Sequence, residues 1–240
     1  MRTLVLVGAL AALLLCGAAA FPYETAPITA GGTITGVVRY AGVAPRRAQL
    51  EISKDKDVCG ATPLFDQSLI VSSSGGIGNA VITITDIPKG EPMRPVNGVI
   101  FDQIGCEYSP HVIAFPAGSS IKVLNSDGIL HSIHTESTIN PVVDMAQPGF
   151  KKTLNVTIEK PEAIHVTCDA HNWMDGWWYA TGNPYFAITG PDGRFSIANV
   201  PPGNYTLQVW QEKLGTMSRK VTVAAGQSVT ADFTMKPAKD

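Results

Sequence analysis

Short segments in which apolar and polar residues alternate run along most of the chain. The alternation is strict from Leu154 to Ile158 and again from Val229 to Met235. A period of two turns successive side chains toward opposite faces, which predicts half-buried β-strands. Turn sequences such as Pro191-Asp192-Gly193 and Pro201-Pro202-Gly203 separate the strands, and no stretch keeps a helical period. The pattern predicts an all-β fold, with short strands spaced as in Greek-key sandwiches.

The composition agrees with this prediction and argues against one class of function. The chain has 23 Gly, 17 Pro and only 16% charged residues, which is typical of many turns between short strands. Its formal net charge is −2, whereas nucleic-acid binding calls for a basic patch or stripe. We therefore expect no nucleic-acid partner.

The N-terminus has the features of an export signal. Arg2 precedes an apolar run from Leu4 to Leu15, and small residues follow as Ala18-Ala19-Ala20. This order predicts a secretory signal peptide, residues 1–20, that is removed on export to the periplasm or outside the cell. A membrane anchor is one alternative, but the run is shorter than the roughly 20 apolar residues that span a bilayer. A lipid-modified Cys16 is the other, and the bulky residue before it argues against that.

Three cysteines follow the predicted cleavage site, Cys59, Cys106 and Cys168. An oxidising compartment favours disulfides, and an odd number leaves one thiol over. Because Cys168 lies among residues that commonly bind metals, we expect a Cys59–Cys106 disulfide and a free Cys168. Three buried thiols are the alternative, and the sequence leaves it open.

The C-terminal third has a distinct pattern, in which an Asp-Gly turn and a Pro-Pro-Gly turn separate successive predicted strands. It resembles the carboxypeptidase regulatory-like (transthyretin-like) domain, a small β-sandwich. The matching residues are Asp192-Gly193-Arg194-Phe195, Val200 to Leu207 and Val221 to Gln227. Domains of that family usually open with a strand like Gly32 to Val38, which lies far upstream in this chain.

The distance between that strand and the rest predicts an inserted domain. Residues 31–45 would form the first strand of the regulatory-like sandwich, residues 51–183 a separate domain, and residues 184–237 the remainder of the sandwich. The 220 residues that follow the predicted cleavage site suffice for two domains. Two domains in tandem are the alternative.

The strongest chemical signal is a C-x2-H-x2-M loop that follows the strand Ile164 to Thr167. It reads Cys168-Asp169-Ala170-His171-Asn172-Trp173-Met174, and His131-Ser132-Ile133-His134 lies upstream. A thiolate and two imidazoles form a trigonal set that suits copper, and a weak axial thioether tunes its reduction potential. The alternatives are an ordinary core thiol, surface histidines and a core methionine. Zinc is the competing metal, although soft sulfur ligands favour copper.

From Cys106 to Thr181 the sequence resembles a cupredoxin, a Greek-key sandwich with a blue-copper site. The ligand-loop spacing and the H-x-x-H pair are those of the amicyanin subgroup. The resemblance implies one type 1 copper ion held by His131, Cys168, His171 and the axial Met174. One departure is Trp177-Trp178-Tyr179, where cupredoxins more often have small or β-branched residues, and it puts the packing of that strand in question.

The remaining histidines carry weaker signals. In the amicyanin pattern His134 is not a ligand, and it either orients the ligands or only packs beside them. His165 lies at odd spacing from Cys168 on one strand, so we expect it to face away from the ligand side. His111 is either a structural histidine or a second functional group near the copper.

These features together predict an exported protein that carries single electrons between periplasmic redox partners, such as a cytochrome or a dehydrogenase. By the resemblance, His171 emerges through an apolar surface patch and is the route by which electrons leave. Trp173 belongs to that patch or anchors the loop. We find no nucleophilic triad or paired carboxylates and expect no enzymatic activity. The alternatives are a copper carrier or storage protein, and a structural or binding module with a vestigial copper site.

Overall fold

The computed structural model describes residues 23–237, in which nineteen strands and one short helix occur. The strands are β1 (Glu24–Thr25), β2 (Gly32–Tyr40), β3 (Val81–Ile84), β4 (Lys89–Gly90), β5 (Asn97–Ile104), β6 (Glu107–Ser109), β7 (Val112–Pro116), β8 (Ser119–Asn125), β9 (His131–Glu136), β10 (Asp144–Gln147), β11 (Thr153–Ile158), β12 (Glu162–Thr167), β13 (Asp175–Thr181), β14 (Phe186–Ile188), β15 (Arg194–Val200), β16 (Gly203–Gln211), β17 (Gly215–Val223), β18 (Ser228–Thr230) and β19 (Phe233–Met235). The helix α1 is Lys56–Cys59. The predicted all-β class is confirmed. The predicted signal peptide, residues 1–20, lies outside the described residues.

The described residues also bear on membrane crossing by helices. Within residues 23–237, no helix has the length and apolar character that a bilayer span requires.

The first sandwich, which carries the predicted ligands, consists of a five-stranded and a four-stranded sheet. The strand orders are β10-β9-β12-β13-β7 and β11-β8-β5-β6. Strands that follow one another in the chain, such as β7 and β8 or β11 and β12, lie in different sheets, as in a Greek key. The inward residues of both sheets form one apolar core, with Phe101, Ile121, Ile133, Ile164 and Trp178 at its centre. The strict alternation seen in the sequence therefore separates this core from solvent.

The second sandwich has sheets of order β14-β3-β16-β17 and β15-β2-β18, and β19 also pairs with β2. Its core is separate from the first and includes Ile34, Val38, Ile82, Leu207 and Phe233. The prediction of two β-sandwiches is thus confirmed.

The strand pairs bear on how the chain is divided between the two sandwiches. The predicted first strand, within residues 31–45, is β2, which pairs with β15, β18 and β19 near the C-terminus. The strand β3 lies inside the range 51–183 predicted for the separate domain, yet it pairs with β14 and β16 of the second sandwich. β2 and β3 thus share the second sandwich. The predicted insertion and its domain limits 51 and 183 stay predictions.

The aromatic strand β13 is buried on its inner face and partly buried on its outer face. Trp178 points into the first core, where its ring lies 5.5 Å from that of Phe101. Trp177 and Tyr179 point the other way and contact Trp210 of the second sandwich, at ring separations of 4.9 and 5.5 Å. The large residues at 177 and 179 are explained, because this outer face packs against a second sandwich.

A long segment between β2 and β3 crosses over to the first sandwich. It doubles back on itself through the hydrogen bond from Leu50 N to Leu64 O, 2.9 Å long, and both side chains pack on the first core. The disulfide Cys59–Cys106 joins this segment to the sandwich. The predicted pairing is therefore present, and within the described residues Cys168 is the free cysteine.

Candidate metal centre

Three neighbouring strands bring the four predicted ligands to one end of the first sandwich. His131 is the first residue of β9. Cys168 directly follows β12, and His171 and Met174 lie in the loop that leads from it into β13. The loop is closed by hydrogen bonds from Met174 N to His171 O and from Cys168 N to Met174 O, at 3.0 and 3.3 Å. Since β12 pairs with both β9 and β13, His131 is held beside the loop.

The donor atoms of His131, Cys168 and His171 converge. The Sγ atom of Cys168 lies 3.9 Å from each of the two Nδ1 atoms, and these nitrogens are 3.0 Å apart. The exposed fraction is 0% for both histidines and 3% for Cys168. Met174 is buried in the same apolar cluster as Cys168. The fold therefore brings together the donor atoms of three of the four predicted ligands, and Met174 lies in the same buried cluster.

The spacing of these atoms fits a bound transition metal. A triangle with sides of 3.0, 3.9 and 3.9 Å has its centre about 2.1 Å from each corner, close to the metal bond lengths of about 2.0–2.1 Å for imidazole nitrogen and about 2.3 Å for thiolate sulfur in zinc sites. The distances suit zinc as well as copper. The three-donor set, with a methionine at the end of the loop, is the one that proteins use for copper.

Each histidine is held from behind by a carboxylate. The Nε2 atom of His131 donates to Asp127 Oδ2 at 2.9 Å, and that of His171 donates to Asp55 Oδ2 at 2.8 Å. Because each Nε2 is held by a carboxylate, Nδ1 is the nitrogen of each ring that faces the triangle and would bind the metal. Asp127 also accepts hydrogen bonds from the backbone of Gly105 and Cys106, which fixes its orientation.

The electrostatics of the site favour a thiolate. Burial by itself raises the pKa of Cys168, but hydrogen bonds from His131 and from the Ser132 backbone lower it to about 6. Burial lowers the pKa of His131, whereas its hydrogen bonds to Asp127 and Cys168 raise it to about 9. The Ser132 N–H lies 3.3 Å from the sulfur. The protein therefore stabilises negative charge on the sulfur, which a metal ligand requires.

The loop does not reach the surface in the way that the resemblance implies. His171 is fully buried, because Asp55 of the long segment covers its outer nitrogen. The prediction that this histidine emerges through an apolar patch is wrong. Trp173 is half-buried, donates from Nε1 to Cys106 O at 3.2 Å and lies 5.0 Å from the His171 ring. It anchors the loop, the second of its two predicted roles.

The other histidines lie outside the triangle. His134 is partly exposed and pairs with Asp169 at 3.1 Å. His165 packs on Trp177 and faces Glu136, on the outside of its sheet as predicted.

His111 is 3% exposed and lies at the junction of the two sandwiches, 2.6 Å from Glu212. Asp175 completes a group of three possible donors there. Glu212 also accepts a hydrogen bond from Trp177, so His111 takes part in a structural contact between sandwiches.

Sequence reasoning missed three residues of the centre, Asp55, Asp127 and Ser132. The signal for Asp127 was present, since it lies four residues before His131 in the turn that precedes β9. Ser132 directly follows a predicted ligand. Asp55 had no local signal, because 116 residues separate it from His171.

Comparisons with known proteins identify the C-terminal part of the second sandwich. Residues 179–236 match the family model of the carboxypeptidase regulatory-like domain, which confirms that resemblance. Over 56 residues, which are 23% of its length, this chain is 35% identical to a predicted rhamnogalacturonase of Neurospora crassa. Over the same length it is 34% identical to rhamnogalacturonate lyase A of Emericella nidulans. The chain spans only 10% and 11% of the length of these two proteins.

Solved structures similar to this chain include cupredoxins. Amicyanin from Paracoccus versutus aligns with 42% of this chain and 97% of its own, at 15% identity and a TM-score of 0.32. A purple cupredoxin from Nitrosopumilus maritimus aligns with 35% of this chain and 99% of its own, at 16% identity and a TM-score of 0.30. A copper-containing nitrite reductase from Thermus scotoductus aligns with 38% of this chain and 24% of its own, at 20% identity and a TM-score of 0.32. Likeness at this level defines neither the ligands nor the activity of this chain.

Proposed function

We propose that this protein is an exported type 1 copper protein that carries single electrons between redox partners. The observation that supports this most directly is the buried triangle of His131 Nδ1, His171 Nδ1 and Cys168 Sγ. Met174 is the proposed axial ligand. Copper bound there would supply reversible one-electron exchange, with a potential tuned by the axial ligand and by the surroundings of the sulfur.

The protein residues would hold the ligand geometry constant during electron exchange. Asp127 and Asp55 fix the two imidazole rings from behind, and the Ser132 N–H stabilises charge on the sulfur. Because the rings and the thiolate are buried and hydrogen-bonded, they have little freedom to move when the charge of the site changes. A small rearrangement is what fast electron transfer requires.

Two observations weigh against the alternative functions. A copper carrier needs ligands that partners can reach, whereas all three donors are buried here. A vestigial site would not keep a thiolate and two imidazoles at the mutual spacing that one shared metal ion needs. We propose no enzymatic activity and a periplasmic location, with a cytochrome or a dehydrogenase as the partner.

The visible absorption spectrum after addition of copper tests the proposal. We expect an intense blue band that bleaches on reduction and is absent in Cys168→Ser and His131→Ala. His134→Ala is the matched control, since this histidine lies on the same strand outside the triangle and its loss should leave the band in place. A colourless protein that binds copper weakly or not at all would contradict the proposal and favour the structural module.

A further inference from the structure

The outer edge of His171 is closed by a part of the chain that belongs to neither ligand strand. Asp55 Oδ2 lies 2.8 Å from His171 Nε2. The imidazole is 0% exposed, while the Asp55 side chain is 50% exposed. One oxygen of the Asp55 carboxylate thus faces the His171 ring, while the opposite side of the carboxylate is exposed to solvent.

Several contacts hold Asp55 in this position. Its backbone has φ 46°, a left-handed conformation that aspartate tolerates better than most residues. Its carbonyl oxygen accepts hydrogen bonds from Val58 N and Cys59 N, at 3.0 and 2.8 Å. The Cys59–Cys106 disulfide then ties the segment to the sandwich.

A second side chain of the same segment contacts the ligand loop itself. Lys54 Nζ donates to Ala170 O at 3.2 Å, one residue before His171. The segment therefore contacts the loop at two consecutive residues, with a charged group at each contact.

We propose that Asp55 is a positioning residue for His171, and that the disulfide-anchored segment 54–59 closes this ligand from solvent. The proposal rests on the proposed copper function for its purpose, but the contact itself does not depend on a metal. The carboxylate accepts a hydrogen bond from Nε2, so it holds the ring with Nδ1 turned toward Cys168. It also occupies the position through which a partner or a chelator would reach the ring.

Ring nitrogen shifts of His171, measured by NMR on the metal-free protein, test the positioning without copper. In the wild type we expect the tautomer with the proton on Nε2 and slow exchange of that proton. Asp55→Ala should make the exchange about 10- to 100-fold faster, the loss expected for a hydrogen bond to a charged group. Asp55→Asn retains an acceptor oxygen and should restore part of the protection. Asp57→Ala is the matched control, because Asp57 is an exposed residue of the same segment.

Removal of Cu(I) by a chelator supplies the second readout. Asp55→Ala should release the metal faster than Asp57→Ala, and Asp55→Asn should lie between them. If copper binds and both the His171 shifts and the release rate are unchanged in Asp55→Ala, the positioning role is wrong. If no variant binds copper but the His171 shifts respond to Asp55→Ala, the positioning role stands and the copper function falls.

Discussion

Replacement of Glu212 by alanine should weaken the junction between the two sandwiches. Glu212 Oε1 pairs with His111 Nε2 at 2.6 Å, and Oε2 accepts from Trp177 Nε1 at 2.9 Å. Its side chain is 5% exposed and that of His111 is 2% exposed. Alanine therefore leaves a buried imidazole and an indole N–H without their acceptor.

The expected loss follows from this burial. Hydrogen bonds to charged groups contribute about 1.5–3 kcal/mol each, and removal of one partner from a buried ion pair costs about 3–5 kcal/mol. We expect Glu212→Ala to lower the free energy of unfolding by about 3–5 kcal/mol, at the upper end of single-residue effects. Urea unfolding followed by tryptophan fluorescence measures it, since Trp177 and Trp210 meet at this junction.

The control is Glu159→Ala, which removes an exposed glutamate and should change the free energy by no more than about 0.5 kcal/mol. Equal unfolding curves for the two variants would show that the contact adds nothing to stability.

The same contact should depend on pH. Burial disfavours the charged form of His111, but the hydrogen bond and charge of Glu212, with a contribution from Asp175, raise its pKa above the ordinary value. A raised pKa in the folded state stabilises the protein below the unfolded pKa of about 6.5. This contribution is lost as the pH rises through the folded value. The difference between wild type and Glu212→Ala should therefore be largest in mildly acidic solution and should shrink above it.

Three further predictions concern single groups. The pKa of Cys168 in the metal-free protein should be about 6, as measured by the ultraviolet absorbance of the thiolate. In His131→Ala it should move toward the ordinary value of about 8.5. An unchanged titration would refute the hydrogen bond between His131 and Cys168. Glu162 accepts hydrogen bonds from several residues of the loop after β9, so Glu162→Gln should cost about 1–3 kcal/mol in urea unfolding, and a loss below 0.5 kcal/mol would count against it. Replacing Cys59 and Cys106 by serine opens a loop with a sequence separation of 47 and should cost about 4 kcal/mol by chain entropy, checked by thermal unfolding with and without reductant.

The ligand loop was predictable because its information is local. Cys168, His171 and Met174 occupy one turn between adjacent strands, so their spacing alone limits them to one small volume. The alternation of apolar and polar residues is local in the same sense, since it depends only on the strand that carries it. Together these two patterns were sufficient for the all-β class and for the donors Cys168 and His171, whereas His131 was identified through the resemblance to cupredoxins.

The surroundings of that loop were not predictable from spacing. Asp55 reaches His171 across 116 residues, and nothing in the sequence near either residue indicates the contact. The resemblance to cupredoxins gave the opposite expectation, an exposed His171, because the covering segment lies outside the part of the chain that carries the resemblance. Likewise, the large aromatic residues Trp177 and Tyr179 are unexpected on a cupredoxin strand. Only the structure shows that Trp210 of the second sandwich packs against them.

The sequence by itself determined the all-β class and the chemistry of the three ligands in the loop, because each depends on residues a few positions apart. Only the tertiary structure decided which strand β3 joins, what covers His171 and how Glu212 links the sandwiches. Those contacts join residues 101 to 129 positions apart. Pairing over such distances is selected by the packing of whole surfaces, to which no short pattern in the chain corresponds.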